Sequence, residues 1–157
     1  MEKIAIFVDV QNIYYTTRQH YRQQFNYKAF WAKATANKEV SGAFAYAIDK
    51  GDAKQQSFQN ILRNIGFQVK LKPYIQRKDG SAKGDWDVGI TLDAFELAAT
   101  VDTIILLSGD GDFDLLLHKA RQAYKTKSIV YGVTALTAPS LINSSDQFIA
   151  IGNELLM

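Results

Sequence analysis

Residues 103–114 read TIILLSGDGDFD, and their reading decides the fold. The first five are apolar or β-branched, with no turn former among them. Such a run reads as a strand buried on both faces of a sheet. It breaks at Ser108-Gly109 and then delivers alternating acids: Asp110, Asp112 and Asp114. In open α/β sheets, sites form beyond the carboxyl ends of the strands, where the strand order reverses. The stretch therefore predicts both a parallel sheet and a place on it where chemistry occurs.

Working outward from it, a second apolar run, residues 3–8 (KIAIFV), also ends in a carboxylate, Asp9. Further strands are predicted at 40–48, 67–71, 128–131 and 148–151. Helices are expected over 12–21, 27–36, 53–65, 86–99, 115–124 and 138–143. In the third, Phe58, Ile61, Leu62 and Ile65 recur at helical spacing. In the fourth, Val88, Leu92, Phe95 and Ala99 are expected to face inward. Pro73 and the polar residues 76–84 predict a loop. Strands alternating with helices imply β-α-β units, with helices on both faces of a mainly parallel central sheet. The expected architecture is a three-layer α/β/α sandwich, Rossmann-like, over residues 1–157 as one domain.

The composition supports this and narrows the chemistry. The chain has 157 residues, 47% of them hydrophobic and 22% charged, enough to bury a core without covalent staples. It contains no cysteine, which removes disulfides, thiolate zinc sites and cysteine nucleophiles. Neither a run of about 20 apolar residues nor a signal-peptide pattern is present, so the expectation is a soluble, cytoplasmic protein. A formal net charge of +2 decides nothing by itself.

The acids carry more. If the strand at 3–8 neighbours the strand at 103–107, Asp9 and Asp110 emerge side by side, about 4.8 Å apart. A further pair, Asp85 and Asp87, opens the helix at 86–99. Two carboxylates about 4 Å apart repel by about 4 kcal/mol at an effective dielectric of about 20. Protonation of one group or a cation between them relieves this. Mg²⁺ and Mn²⁺ favour carboxylate and water oxygens. An acid at a helix start also serves as an N-cap, and that explanation competes at Asp87 and Asp112. Acids after two strands, joined by a third group at a helix start, favour the metal.

Three segments, FVDVQN, KGDWDVGITLDA and LLSGDGDFDLL, occur in this order. Together they resemble the signature of the NYN domain family, a branch of the PIN-like nuclease fold. The resemblance runs from Lys3 to about Tyr131. Asp9 and Asn12 match its first motif. Lys83, Gly84, Asp87, Val88 and Asp93 match the second, and Ser108, Gly109, Asp110, Asp112 and Phe113 the third. One departure stands out: two residues, Asp85 and Trp86, separate Gly84 from Asp87 where the family has one. Either Asp85 or Asp87 fits as ligand, and the spacing to Asp93 favours Asp87.

The resemblance implies a metal-dependent ribonuclease that leaves 5′-phosphate and 3′-hydroxyl ends. Its Mg²⁺ or Mn²⁺ would lie among the catalytic acids Asp9, Asp87, Asp110 and Asp112. Asn12, Asp85, Asp93, Ser108 and Asp114 would support them, and a homodimer is allowed.

RNA would need positive charge around this acidic pocket. Lys70, Lys72, Arg77, Lys78 and Lys83 cluster before the acidic helix, with Tyr74 and Trp86 between them. Cations suit phosphates and aromatic faces suit unstacked bases, which favours single-stranded or locally unpaired RNA. Tyr14 and Tyr15 stand one turn after Asp9, where one could stack on a base, but packing of helix against sheet is the expectation for them. His20 and His118 are expected to take no part in chemistry.

Two other chemistries share pieces of the pattern. Residues 109–114 fit the metal motif of haloacid-dehalogenase-type phosphatases. That chemistry needs an acid two residues after Asp9, where Gln11 stands. A calcium loop would need a glycine at Leu115 and a glutamate at Arg121. An RNA-binding regulatory module without turnover would show the same motifs.

Overall fold

The computed structural model describes residues 1–73, 75–76, 82–83 and 85–157. In chain order the elements are β1 (Glu2–Asp9), α1 (Val10–Tyr21), α2 (Tyr27–Thr35), β2 (Lys38–Asp49) and α3 (Ala53–Ile65). β3 (Gln68–Pro73), β4 (Ile75–Gln76), β5 (Ala82–Lys83), α4 (Asp87–Ala98) and β6 (Thr103–Leu107) follow. α5 (Asp114–Tyr124), β7 (Lys127–Gly132), α6 (Pro139–Ser144) and β8 (Gln147–Ala150) complete the order.

Six strands form one sheet in the order β3-β2-β1-β6-β7-β8, and every neighbouring pair is parallel. Period-two alternation divides its side chains between two cores. Ile4, Ile6 and Val8 of β1, with Ile105 and Leu107 of β6, meet Ile13 of α1, Phe30 of α2 and Leu62 of α3. Ala5, Phe7, Ile104 and Leu106 meet Ile90 and Ala94 of α4, Leu116 and Leu117 of α5 and Leu141 of α6. Helices therefore cover both faces, the expected three-layer α/β/α sandwich. Three helices begin where a side chain caps them: Asp9, Asn26 and Asp52 accept from the backbone N–H of Asn12, Ala29 and Gln55.

Local differences from the sequence reading have physical causes. α4 does not turn Val88 and Leu92 inward; they are 70% and 65% exposed. It buries Ile90, Ala94 and Ala98, one stripe at i, i+4 and i+8. Apolar residues fall on more than one side of this helix, so periodicity could not select a face, and the close approach to sheet and α5 selected the alanines. In α3, Ile61 points to solvent and Gln59 and Leu62 are buried. Within the predicted loop, β4 and β5 pair antiparallel.

Candidate functional site

β1 runs outward to β2 and β3, and the chain then returns to place β6 on the other side of β1. The strand order reverses between β1 and β6, and their carboxyl ends form the switch point. Val8 is in register with Leu107, so Asp9 and the 108–112 turn leave the sheet side by side.

Ser108 and Asn12 stitch these two exits together. Ser108 is fully buried. Its Oγ donates to Asp9 Oδ2 at 3.2 Å and accepts from the Asp110 backbone N–H at 3.2 Å. Asn12 Oδ1 accepts from the Gly109 N–H at 2.9 Å. A side chain at Gly109 would place its Cβ 2.7 Å from the Leu136 carbonyl oxygen, so the turn closes only with glycine there. Asp110 then caps the turn that follows, Oδ1 accepting from the Asp112 N–H at 2.9 Å.

From the opposite side, α4 brings Asp87. Asp87, Asp110 and Asp112 each offer a carboxylate oxygen, and these oxygens lie within 4.8 Å of one another. Asp9 stands beside this trio, close enough for the charges of Asp110 and Asp85 to act on it. Burial, foremost, raises the Asp9 carboxyl to about 6, against the lowering effect of the Asn12 and Ser108 hydrogen bonds. The Asp87 carboxyl is raised to about 7, first by burial, then by sharing a hydrogen bond with Asp110 and by the charges of Asp110, Asp85 and Asp9. Carboxylate oxygens gathered this closely could hold a cation. The donors are all hard oxygens, a fit for Mg²⁺ or Mn²⁺ and not for a soft metal.

The remaining predicted residues divide. Asp85 is exposed, and its Oδ1 accepts from the Asp87 N–H at 3.2 Å, so it supports the helix start. Asp114 opens α5, where an acid complements the helix dipole. Asp93 lies six residues beyond Asp87, about 9 Å along the helix. It is engaged elsewhere: Tyr46 Oη donates to it at 2.8 Å and Lys70 Nζ at 2.6 Å. Lys72 stands over the Trp86 ring at 4.4 Å, its Nζ donating to the Asp85 carbonyl at 3.1 Å. Trp86 is half-buried against Tyr46, and its Nε1 donates to the Ala47 carbonyl at 2.9 Å. Lys83 is placed by its backbone in β5, paired with Ile75. Tyr74, Arg77 and Lys78, predicted to meet RNA, lie outside the described residues, as does Gly84.

Sequence reading missed two features. Tyr46 secures α4 through Asp93, and nothing near Tyr46 in sequence signals this. Tyr14 and Tyr15 do not pack helix against sheet; they are 48% and 52% exposed. Both follow Ile13, which takes the buried position on α1. His20 and His118 are both exposed, and His118 Nε2 pairs with Ser144 Oγ at 3.0 Å.

An all-parallel sheet flanked by helices, with acids gathered at its switch point, is consistent with a three-layer α/β/α fold of the PIN-like kind. The NYN domain family matches residues 3–152, and the chain belongs to it. It is 27% identical over 162 residues to the low amplitude and bright protein LabA of Synechococcus elongatus, spanning 96% of this chain and 84% of that protein. A crystal structure of a protein of unknown function from Vibrio parahaemolyticus is 60% identical, with a TM-score of 0.95 over 99% of this chain and 96% of that one. Ribokinase from Giardia lamblia, at 13% identity and a TM-score of 0.51 over 98% of this chain and 59% of that one, is alike in fold alone. Among the described residues, no helix is long and apolar enough to cross a membrane.

Proposed function

We propose that this chain is a metal-dependent ribonuclease. The observation that carries the reading is the convergence of Asp87, Asp110 and Asp112, their oxygens within 4.8 Å, on the switch point that Asp9 borders. These four acids would hold Mg²⁺ or Mn²⁺. Bound there, the cation supplies Lewis-acid chemistry: activation of water and neutralisation of charge on the scissile phosphate.

The protein's own contribution is position. Ser108 and Asn12 fix Asp9 and the 108–112 turn against each other. Trp86 anchors the start of α4 so that Asp87 faces Asp110. Lys72 sets positive charge beside the acids, where the backbone of an unpaired RNA strand would lie. The reading places the activity in the cytoplasm, with which the cysteine-free sequence is compatible. A homodimer is compatible with the reading, and sedimentation distinguishes one copy from two.

The test uses end-labelled single-stranded and hairpin RNAs in EDTA, Mg²⁺ and Mn²⁺, with an Asp110→Asn protein prepared identically. Cleavage that needs the metal and disappears in the variant is expected. Equal cleavage by both proteins would identify a contaminant or a misplaced active site. RNA binding without cleavage by the wild type would make the chain a regulatory RNA-binding module of the same fold.

A further inference from the structure

The outer face of α1 lies in a stretch of one-sided charge. From Val10 to Lys38 the sequence has Arg18, Arg22, Lys28, Lys33 and Lys38 and no Asp or Glu. Lys38 is engaged by Glu2 at 2.6 Å. Arg18 and Arg22 are exposed and form no ion pair with a carboxylate among the described residues.

Aromatic rings accompany these cations. Tyr14 and Tyr15 meet edge to face at 5.4 Å and show about half their surface to water. Arg18 lies 5.8 Å from the Tyr14 ring centre, and its Nη1 donates to Tyr14 Oη at 2.6 Å, which holds both side chains in place. Beside them Tyr15, Arg18, Gln19 and Arg22 line an open groove of about 540 Å³. None of these side chains serves the core; Val10, Ile13 and Thr17 do that.

α1 begins at the acidic site, because Asp9 caps it and Asn12 Oδ1 accepts from the Gly109 N–H. α1 has 12 residues. From Tyr14 to Arg22 the backbone rises about 12 Å, so a strand that meets this face and also reaches the acids at the start of α1 must span several nucleotides.

We propose that the Tyr14–Arg22 face of α1 is a binding track for single-stranded RNA outside the metal site, an inference that rests on the ribonuclease reading. Arg18 and Arg22 contact phosphates, and the exposed face of Tyr15 stacks a base, with Gln19 as a polar contact between them. Cations interleaved with aromatic faces are what an unpaired strand requires, because its charge is regular and its bases are free to stack. A protein partner would use tyrosines and arginines as well; RNA is favoured here because the helix that carries them begins at the acidic site. The track lies on the helix layer opposite α4, so a strand engaged by both would pass across the acids at the switch point.

The experiment measures binding of fluorescent single-stranded RNA of about twelve nucleotides, a length within common single-strand sites. A trinucleotide serves as the short comparison, and Ca²⁺ replaces the catalytic cation. Tyr15→Ala is expected to weaken binding of the long RNA at least about five-fold, the low end for loss of one stacked base. Arg18→Gln/Arg22→Gln should weaken it too and lower the salt slope by about 1.4, roughly 0.7 per lost phosphate contact. The trinucleotide should lose little in either variant. Unchanged binding in both variants, with the wild type still binding and cleaving RNA, overturns the track and leaves the ribonuclease reading standing. Equal losses for the long and the short RNA overturn it as well, because the substitutions would then act at the metal site. Failure of the wild type to bind RNA at all overturns the track and the ribonuclease reading together.

Discussion

Ser108 shows how much a single hydroxyl does at this site. It donates to Asp9 and accepts from the Asp110 N–H, so it joins the two strands whose exits make the acidic cluster. Ser108→Ala removes both bonds in a fully buried place. The Asp110 N–H is left without its partner and Asp9 loses a donor to its charged form. An unsatisfied buried group of this kind costs about 1–3 kcal/mol. The variant should therefore unfold at lower urea concentration, with an unfolding free energy reduced by an amount in that range. It should also bind Mn²⁺ more weakly by calorimetry, because Asp9 no longer has a fixed direction. Ser108→Thr keeps the hydroxyl and serves as the control for it, with the added methyl as its own packing cost. If alanine leaves both stability and Mn²⁺ affinity at wild-type values, the stitching role assigned to Ser108 is wrong.

At the scale of elements, α4 decides whether Asp87 reaches the cluster, and two contacts hold it. One is the Trp86 indole N–H on the Ala47 carbonyl, with the ring packed on Tyr46. The other is Asp93 with Lys70, a pair whose side chains are 32% and 30% exposed. Partly solvated ion pairs contribute about 0–1 kcal/mol, whereas truncating a large aromatic costs about 3–5 kcal/mol in a full core, and a fair part of that where the ring is half-buried, as Trp86 is. Trp86→Ala should thus destabilise the protein far more than Asp93→Asn, which also retains an acceptor for Tyr46. Denaturant titration of the two variants gives the ranking, and a larger loss for Asp93→Asn would reverse it. The same helix marks the limit of what sequence made legible. Strands were read from their apolar runs, and Asp9 and Asp110 from the ends of those runs, because strand burial and switch-point geometry are local and general. The face of α4 was not, since Val88, Leu92, Ile90 and Ala94 are all apolar and only the packing distance to sheet and α5 favours the small ones. Tyr46 was equally invisible: its bond to Asp93 spans 47 residues, and no local pattern encodes it.

For the molecule as a whole, gathering like charges at the switch point opposes folding, and pH reveals this. Asp9 and Asp87 are raised from 3.8 to about 6 and about 7, so the folded chain binds protons that the unfolded chain has released. Stability then falls as pH rises wherever the folded state holds more protons. The contribution of these two groups is fully present below about pH 4 and is lost progressively up to about pH 7. Other carboxylates act in the opposite direction at the acid end; Glu2, lowered first by its hydrogen bonds to Lys38 and Thr103, loses its contribution as pH falls through its folded value. The informative window is therefore about pH 5 to about pH 8, above the range in which such lowered carboxylates titrate. In EDTA the unfolding midpoint should decline across that window. With Mg²⁺ or Mn²⁺ it should instead rise, because the cation displaces the protons and binds only the folded site, and binding at about 100 times the dissociation constant adds about 2.7 kcal/mol. Asp87→Asn removes the carboxyl that is raised furthest, first by burial and then by its acidic neighbours, so it should flatten the decline in EDTA and reduce the gain from metal at once. A wild-type midpoint that is flat from about pH 5 to about pH 8 and indifferent to both cations would mean that the acids at the switch point neither repel nor share an ion.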